Sequence, residues 1–411
     1  MYKEEIVSRI VKKYGSSFYL VDLNIFESNF NNLKKSFMSI WPKFNIAYSF
    51  KTNYLPCICS KVKELNGFAE VVSEMELKLA SKVGFSFDRI IWNGPIKNKD
   101  ALKRFLVNGG ISNIDNINEL KYILTICRQF PKQKFRIGIR LNFSVGNSVV
   151  SRFGVDCDNG DLEYVLKQLK SVPNISLCSL QCHFANREVD YWPNRAQGLF
   201  NVFKRFKSYF SEIEFLDLGG GIYGEMPEHL AKQIHANRAT FDDYANAIAA
   251  PLTDCFKNDI KKPTILVEPG TALASNALYF FCEVNNIKRV QDKWIATTNG
   301  SQKNISMNNI NPPIEIYSFS QEVKSFSGLD IVGYTCIEND ILYRDYNGLL
   351  GEGDIISFGN CGSYSIVMKP PFILPNCPVL SLEKDVLRLE KRQERFQDIF
   401  KTYTFKGAFR K

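Results

Sequence analysis

A chain of 411 residues exceeds what one ordinary core organises and fits two domains, one of them large enough to be a barrel. Hydrophobic residues at 45% and aromatics at 13% supply the apolar side chains for packed interiors and argue against disorder. The net charge of +9 is modest, and Lys and Arg are spread along the chain instead of forming a stripe, which argues against nucleic acid as a partner.

The strand expectations, in chain order, are Phe44 to Phe50, Val71 to Val72, Ile90 to Trp92, Phe135 to Leu141, Ile175 to His183, Ile213 to Leu218 and Thr264 to Val267. Asp100 to Val107 and Ile117 to Cys127 read as helices between them. Short apolar runs alternating with longer amphipathic segments are the mark of successive βα units around a parallel sheet. From about residue 275 the texture becomes β-rich, with strands expected at Leu278 to Val284, Trp294 to Thr298 and Asp354 to Phe358 in a mostly antiparallel second domain. Near the end, Leu382, Val386, Leu389, Phe396 and Phe400 recur at helical spacing and predict one amphipathic packing helix.

Eleven cysteines are an odd number in a long chain that begins with the polar Met1-Tyr2-Lys3-Glu4-Glu5, so a reducing cytoplasm is the simpler account than a disulfide framework. Cys57-Ile58-Cys59 lacks the paired spacing of a zinc site, and no metal is expected. No apolar run approaches the roughly 20 residues of a membrane span.

The unusual polar residues fall directly after apolar strands: Lys51, His183, the run Gly219-Gly220-Gly221, and Glu268. In a parallel barrel the carboxyl ends of the strands converge on one mouth, where ligands bind. Lys51 alone could be a snorkelling surface cation; in an apolar site it becomes a nucleophilic amine suited to a carbonyl cofactor. Glycines after a strand let backbone N–H groups approach a phosphate, although a triplet also serves as a simple turn. A carboxylate such as Glu268 is either a surface loop acid or a partner for a ring nitrogen, and a single histidine such as His183 is most often a satisfied core residue.

These residues lie in motifs that resemble the fold-type III PLP-dependent decarboxylases, the group of diaminopimelate, ornithine and arginine decarboxylases. Tyr48-Ser49-Phe50-Lys51-Thr52-Asn53 is similar to the Y-x-x-K-x-N cofactor lysine motif, and Val71-Val72-Ser73-Glu74-Met75-Glu76-Leu77 to V-V-S-x-x-E-L. Ser151-Arg152-Phe153-Gly154 resembles S-K-F-G, Glu268-Pro269-Gly270 matches E-P-G, and Cys336 to Asp340 and Gly362-Ser363-Tyr364 resemble C-E-S-G-D and G-A-Y. The resemblance implies an α/β fold, with a PLP-binding (β/α)8 TIM-like barrel over residues 26–274. A C-terminal antiparallel β domain over 275–411 would be joined by the N-terminal segment 1–25. It implies pyridoxal 5′-phosphate (PLP) as cofactor, with Lys51, His183, Glu268 and Cys336 as catalytic residues. PLP would be held by Lys51, His183, Asn186, Gly220, Gly221, Glu268, Gly270, Thr271 and Tyr364, and substrate by Glu338 and Asp340. It further implies a head-to-tail homodimer in which Cys336 reaches the partner's site and donates the proton that replaces CO2.

Three departures bear on the substrate. E-P-G is followed by Thr271 where the family usually has arginine, which removes a bidentate anion clamp. The stretch Asn311 to Tyr317 lacks the arginine with which diaminopimelate decarboxylases grip the distal carboxylate, and the acid usually next to cysteine has moved to Glu338. The expectation is therefore decarboxylation of a diamino or conjugated amino acid other than diaminopimelate. The alternatives are an amino-acid racemase, or a non-catalytic homologue that regulates a partner.

Overall fold

Eight short strands follow one another with helices between them: Phe44–Ser49, Phe68–Val71, Ile90–Trp92, Ile111–Ile114, Phe135–Asn142, Ile175–Gln181, Phe215–Asp217 and Thr264–Val267. Each pairs in parallel with the next, and the last pairs with the first, so the sheet closes into a barrel. The computed structural model describes residues 2–146, 150–209, 213–257 and 261–405. The barrel lies in a unit made of Phe26–Glu225 and Ala236–Ala274. Its floor is plugged by Ala47, Phe68, Ile91, Ile111, Cys178, Phe215 and Leu266, one residue from each of seven strands. Side chains fill a barrel of this strand number, leaving ligands to the loops at its carboxyl end.

Local chemistry fixes where those loops end. Ser73 accepts from the Glu76 amide to cap Glu74–Val83, while the Glu76 carboxylate takes the Val72 N–H at 2.7 Å. Asn116 and Glu119 repeat the device ahead of Ile117–Gln129, with Glu119 accepting from Asp115 N at 3.0 Å. Each pair satisfies donors that a helix start leaves free. The strand expected at Val71 to Val72 runs Phe68–Val71 instead, and Ile111–Ile114 is an additional strand whose polar Ser112 and Asn113 break the apolar run that would announce it.

The other unit comprises Met1–Ile25, Met226–His235 and Ser275–Lys411. The strand Phe18–Asp22, buried at every position, lies within its sheet between Leu278–Val290, antiparallel, and Val379–Glu383, parallel. Lys293–Thr298, Val323–Val332 and Ile341–Gly351 extend the sheet on one side, and Ile355–Phe358 pairs with both Leu278–Val290 and Ile314–Tyr317. Helix Glu4–Tyr14 adds Val7 and Ile10 to a core with Phe18, Leu20, Phe281 and Leu380, where the Phe18 and Phe281 rings stack at 4.6 Å.

The single terminal helix predicted from residue 382 onward is corrected. Val379–Glu383 and Val386–Lys391 form an antiparallel hairpin, and only Phe396–Phe400 is helical. Glu383 pairs with Val386 across Lys384 and Asp385, whose φ angles of 47° and 65° are those of a two-residue hairpin turn. Apolar residues four and three apart fit a helix, but here Leu382 lies in one strand of the hairpin and Val386 and Leu389 in the other.

Candidate active site

Lys51 stands in the short turn Phe50–Thr52 that ends the first barrel strand. Its Nζ is 2.6 Å from Glu70 Oε2 and donates to Ser49 Oγ at 2.6 Å, while Ser49 Oγ donates to the same Glu70 oxygen. Glu70, in the second strand, is buried. Burial opposes its ionisation, but the charge of Lys51 and hydrogen bonds from Lys51, Ser49 and Asn93 outweigh it and hold the carboxyl below its ordinary range. The lysine side chain remains 35% exposed, open to the mouth.

Asn93, just after the third strand, joins this corner to the far side of the barrel. Its amide donates to Glu70 Oε1 at 3.1 Å and to Glu268 Oε1 at 2.6 Å, and its own oxygen accepts from Asn113 at 2.7 Å. Gln181, at the end of the sixth strand, also donates to Glu268 Oε1, at 3.2 Å. Glu268 is pushed well above the usual carboxylate range by burial, then by neighbouring Asp217 and Glu70. Asp217, which closes the seventh strand, is raised to about 6 by burial. Two buried acids side by side share protons instead of both ionising.

His183 follows the sixth strand. Its Nδ1 accepts the Gly220 N–H at 2.9 Å, which places the ring proton on Nε2. Burial drives its pKa well below 6.5, and Lys51, Arg195, Arg140 and Arg187 add to the effect, so the imidazole is neutral. The glycine run needs its glycines. Gly219 and Gly221 have φ of +71° and +104°, a Cβ on Gly219 would strike the Cys182 carbonyl, and one on Gly220 would lie 2.5 Å from Glu268 O. A Cβ on Gly270 would strike Thr52 Oγ1. A cavity of about 230 Å³ opens beside His183, lined among others by Arg152, Phe153, Ala185 and Asn186.

This mouth fits PLP: an amine open to it, a bare-backbone cradle suited to a phosphate, and, buried in it, the acid pair, with Asp217 Oδ2 meeting no hydrogen-bond donor among the described residues. The structure brings together Lys51, His183, Gly220, Gly221, Asn186 and Glu268, with Gly270 and Thr271 directly after Glu268. Ser49, Glu70, Asn93, Gln181, Asp217 and Arg195 also belong to the network and escaped the sequence reading. Most carry the signal that exposed Lys51, a polar residue at the end of an apolar strand; Arg195, on a helix, carries none.

The remaining expected residues lie in the other unit. Cys336 is exposed in the loop after Val323–Val332, with Glu338 exposed beside it. Asp340, expected to touch substrate, is buried and fully engaged at home: it accepts from Thr335 Oγ1 at 2.6 Å, Ser301 Oγ at 3.0 Å and Gln302 N at 2.7 Å. These bonds tie down the loop that carries Cys336. Tyr364 has φ of 64°, a strained conformation for a bulky side chain, and such strain collects at functional sites.

Residues 23–275 match the family model of the pyridoxal binding domain of pyridoxal-dependent decarboxylases. The diaminopimelate decarboxylase of Methanocaldococcus jannaschii is 24% identical over 93% of this chain and 90% of its own length. That of Aquifex aeolicus is 23% identical over 96% and 93%. The crystal structure of the M. jannaschii enzyme superposes with a TM-score of 0.86 at 21% identity, covering 97% of this chain and 94% of that one. The arginine decarboxylase of Paramecium bursaria Chlorella virus superposes at 0.73, with 21% identity over 90% and 97%.

These findings overturn the expectation that diaminopimelate is excluded, because nearly full-length relatives carry that activity in their names. Physically, the loss of a guanidinium at one or two positions does not strip the mouth of positive charge, since Lys51, Arg195, Arg140 and Arg187 all act on His183. The chain belongs to the pyridoxal-dependent decarboxylases, carboxy-lyases that use PLP as their cofactor.

Proposed function

We propose that the chain removes one carboxylate from diaminopimelate, leaving lysine, with Lys51 as the residue that carries PLP. The observation behind the site assignment is the unbroken line of contacts Lys51–Glu70–Asn93–Glu268 across the mouth. The substrate rests on the relatives' names and on the M. jannaschii enzyme having been crystallised with L-lysine, which is what diaminopimelate becomes on losing CO2.

When bound, PLP supplies an electron sink for the pair left by departing CO2. The protein's part is positional and electrostatic. Glu70, ionised, holds the Lys51 amine at the mouth. Glu268, whose proton affinity is raised by burial and by Asp217, would supply the carboxyl group that keeps the ring nitrogen protonated. Neutral His183 offers its ring face without adding a cation. Gly220, Gly221, Asn186, Gly270 and Thr271 would hold the cofactor's phosphate. We further propose a cytoplasmic homodimer in which the partner subunit's Cys336 returns a proton to the substrate carbon, with Glu338 contacting substrate.

The test is mass spectrometry of the PLP-loaded protein with diaminopimelate, ornithine, lysine and arginine in turn. Lysine formed from diaminopimelate supports the reading. Loss of CO2 only from another of the four overturns the substrate, and no loss from any of them overturns both substrate and site.

A further inference from the structure

Arg195, on helix Trp192–Arg205, is 1% exposed and has no acidic partner within ion-pair distance among the described residues. It spends its guanidinium on four backbone carbonyls. Nη1 donates to Leu218 O at 3.2 Å and Gly220 O at 2.8 Å, and Nη2 to Phe184 O and Asn186 O, both at 3.1 Å. The Trp192 ring lies 3.8 Å beneath the guanidinium carbon and fixes its plane. Burying an unpaired cation costs several kcal/mol, which charge-assisted hydrogen bonds and the aromatic face offset only in part. An apolar side chain would fill the space at less cost, so the arrangement calls for a use.

The four carbonyls belong to two loops, the one carrying His183 and the one carrying the glycine run. In a planar trans peptide the N–H points opposite to the C=O, so each carbonyl turned towards Arg195 turns the following N–H away from it. Two of those N–H groups are taken: Gly219 donates to Asp217 Oδ1 at 2.9 Å and Arg187 to Glu188 Oε2 at 3.2 Å. The other two, of Ala185 and Gly221, meet no acceptor among the described residues. The loops also touch, since a Cβ on Gly221 would lie 2.9 Å from Asn186 O. Two undirected donors with a buried cation behind them make a place for an anion.

We propose that Arg195 is a positioning residue for the cofactor phosphate: by clamping both loops through their carbonyls it presents the N–H groups of Ala185 and Gly221 to the phosphate oxygens. This rests on PLP occupying the barrel mouth as read above. It also accounts for how the chain holds a phosphate with Thr271 after E-P-G, because a guanidinium behind the cradle supplies the positive charge.

The experiment titrates apoprotein with PLP and with pyridoxal, which has the same ring and aldehyde and no phosphate, for the wild type, Arg195→Met and Arg195→Lys. Arg195→Met is expected to lose about 30-fold in PLP affinity, with pyridoxal affinity unchanged within about twofold. Arg195→Lys keeps the charge but cannot span four carbonyls, so it recovers only a minor part of that loss. Equal weakening for both ligands, no weakening, or full rescue by lysine overturns the proposal. A measurement on the wild type alone guards against a variant that fails to fold: inorganic phosphate should slow amide hydrogen exchange in peptides covering 184–187 and 218–222, and unchanged exchange there overturns it. Wild-type apoprotein that takes up no PLP sinks the cofactor reading and this inference together; normal wild-type uptake with an unaffected Arg195→Met sinks this one alone.

Discussion

Asn93 offers one amide to two carboxylates of opposite character, and the consequences are measurable residue by residue. Glu70 is held ionised beside Lys51, whereas Glu268 is pushed towards its protonated form. Lys51→Ala should abolish turnover and leave no PLP adduct after borohydride reduction; an unchanged rate would remove Lys51 from the chemistry. Glu268→Ala should still bind PLP but turn over slowly, by a factor of about a hundred or more, and full activity would contradict its role at the ring nitrogen. Asp217 makes a stability prediction. Its folded pKa is about 6 against an ordinary 3.8. Between those values the folded apoprotein keeps a proton that the unfolded chain has released, so this group's contribution to stability is present below 3.8 and is lost as pH rises towards 6. Asp217→Asn should flatten that part of the decline in a pH series of denaturation midpoints, and an unaltered slope would show that the acid ionises freely. Lys51, His183 and Glu268 were legible because each follows an apolar strand inside a recognisable motif. The bridge between Glu70 and Glu268 was not, because these two acids come within reach of one amide only when the eighth strand closes on the first.

At the scale of elements, the barrel strands were read from short apolar runs, and most ends fell within two residues. The hairpin Val379–Glu383 and Val386–Lys391 was misread because its turn, Lys384-Asp385, lacks the Asn-Gly or Asp-Gly signature that positive φ favours. Leu382, Val386 and Leu389 satisfy helical spacing, and sheet pairing, which local sequence does not report, overrode it. The same turn predicts a gain. Asp385, at φ 65°, pays for a conformation that glycine adopts freely, so Asp385→Gly should raise stability by about 0.5–1 kcal/mol, read as a shift in denaturant midpoint at constant slope. A loss would mean that the aspartate side chain holds the turn.

At the scale of the whole molecule, a shared active site has a direct test. If Cys336 serves its partner's Lys51, mixing Lys51→Ala protein with Cys336→Ala protein should restore about a quarter of wild-type activity through mixed dimers with one intact site, whereas a self-sufficient subunit would restore none. The two-unit organisation was legible from the change in texture near residue 275. That one unit also takes in Met226–His235 was not, since this stretch has no composition of its own. The placement of Phe18–Asp22 also has a consequence for the chain's birth. One of the two strands that flank it, Val379–Glu383, leaves the ribosome some 350 residues after it. At about 5–20 residues per second Phe18–Asp22 waits roughly 20–70 s, all five of its residues destined for burial and none able to reach that final neighbour. The barrel can be complete well before then, so the exposure of this strand during synthesis sets the interval in which a nascent chain depends on holding factors or risks pairing with its neighbours on the same messenger.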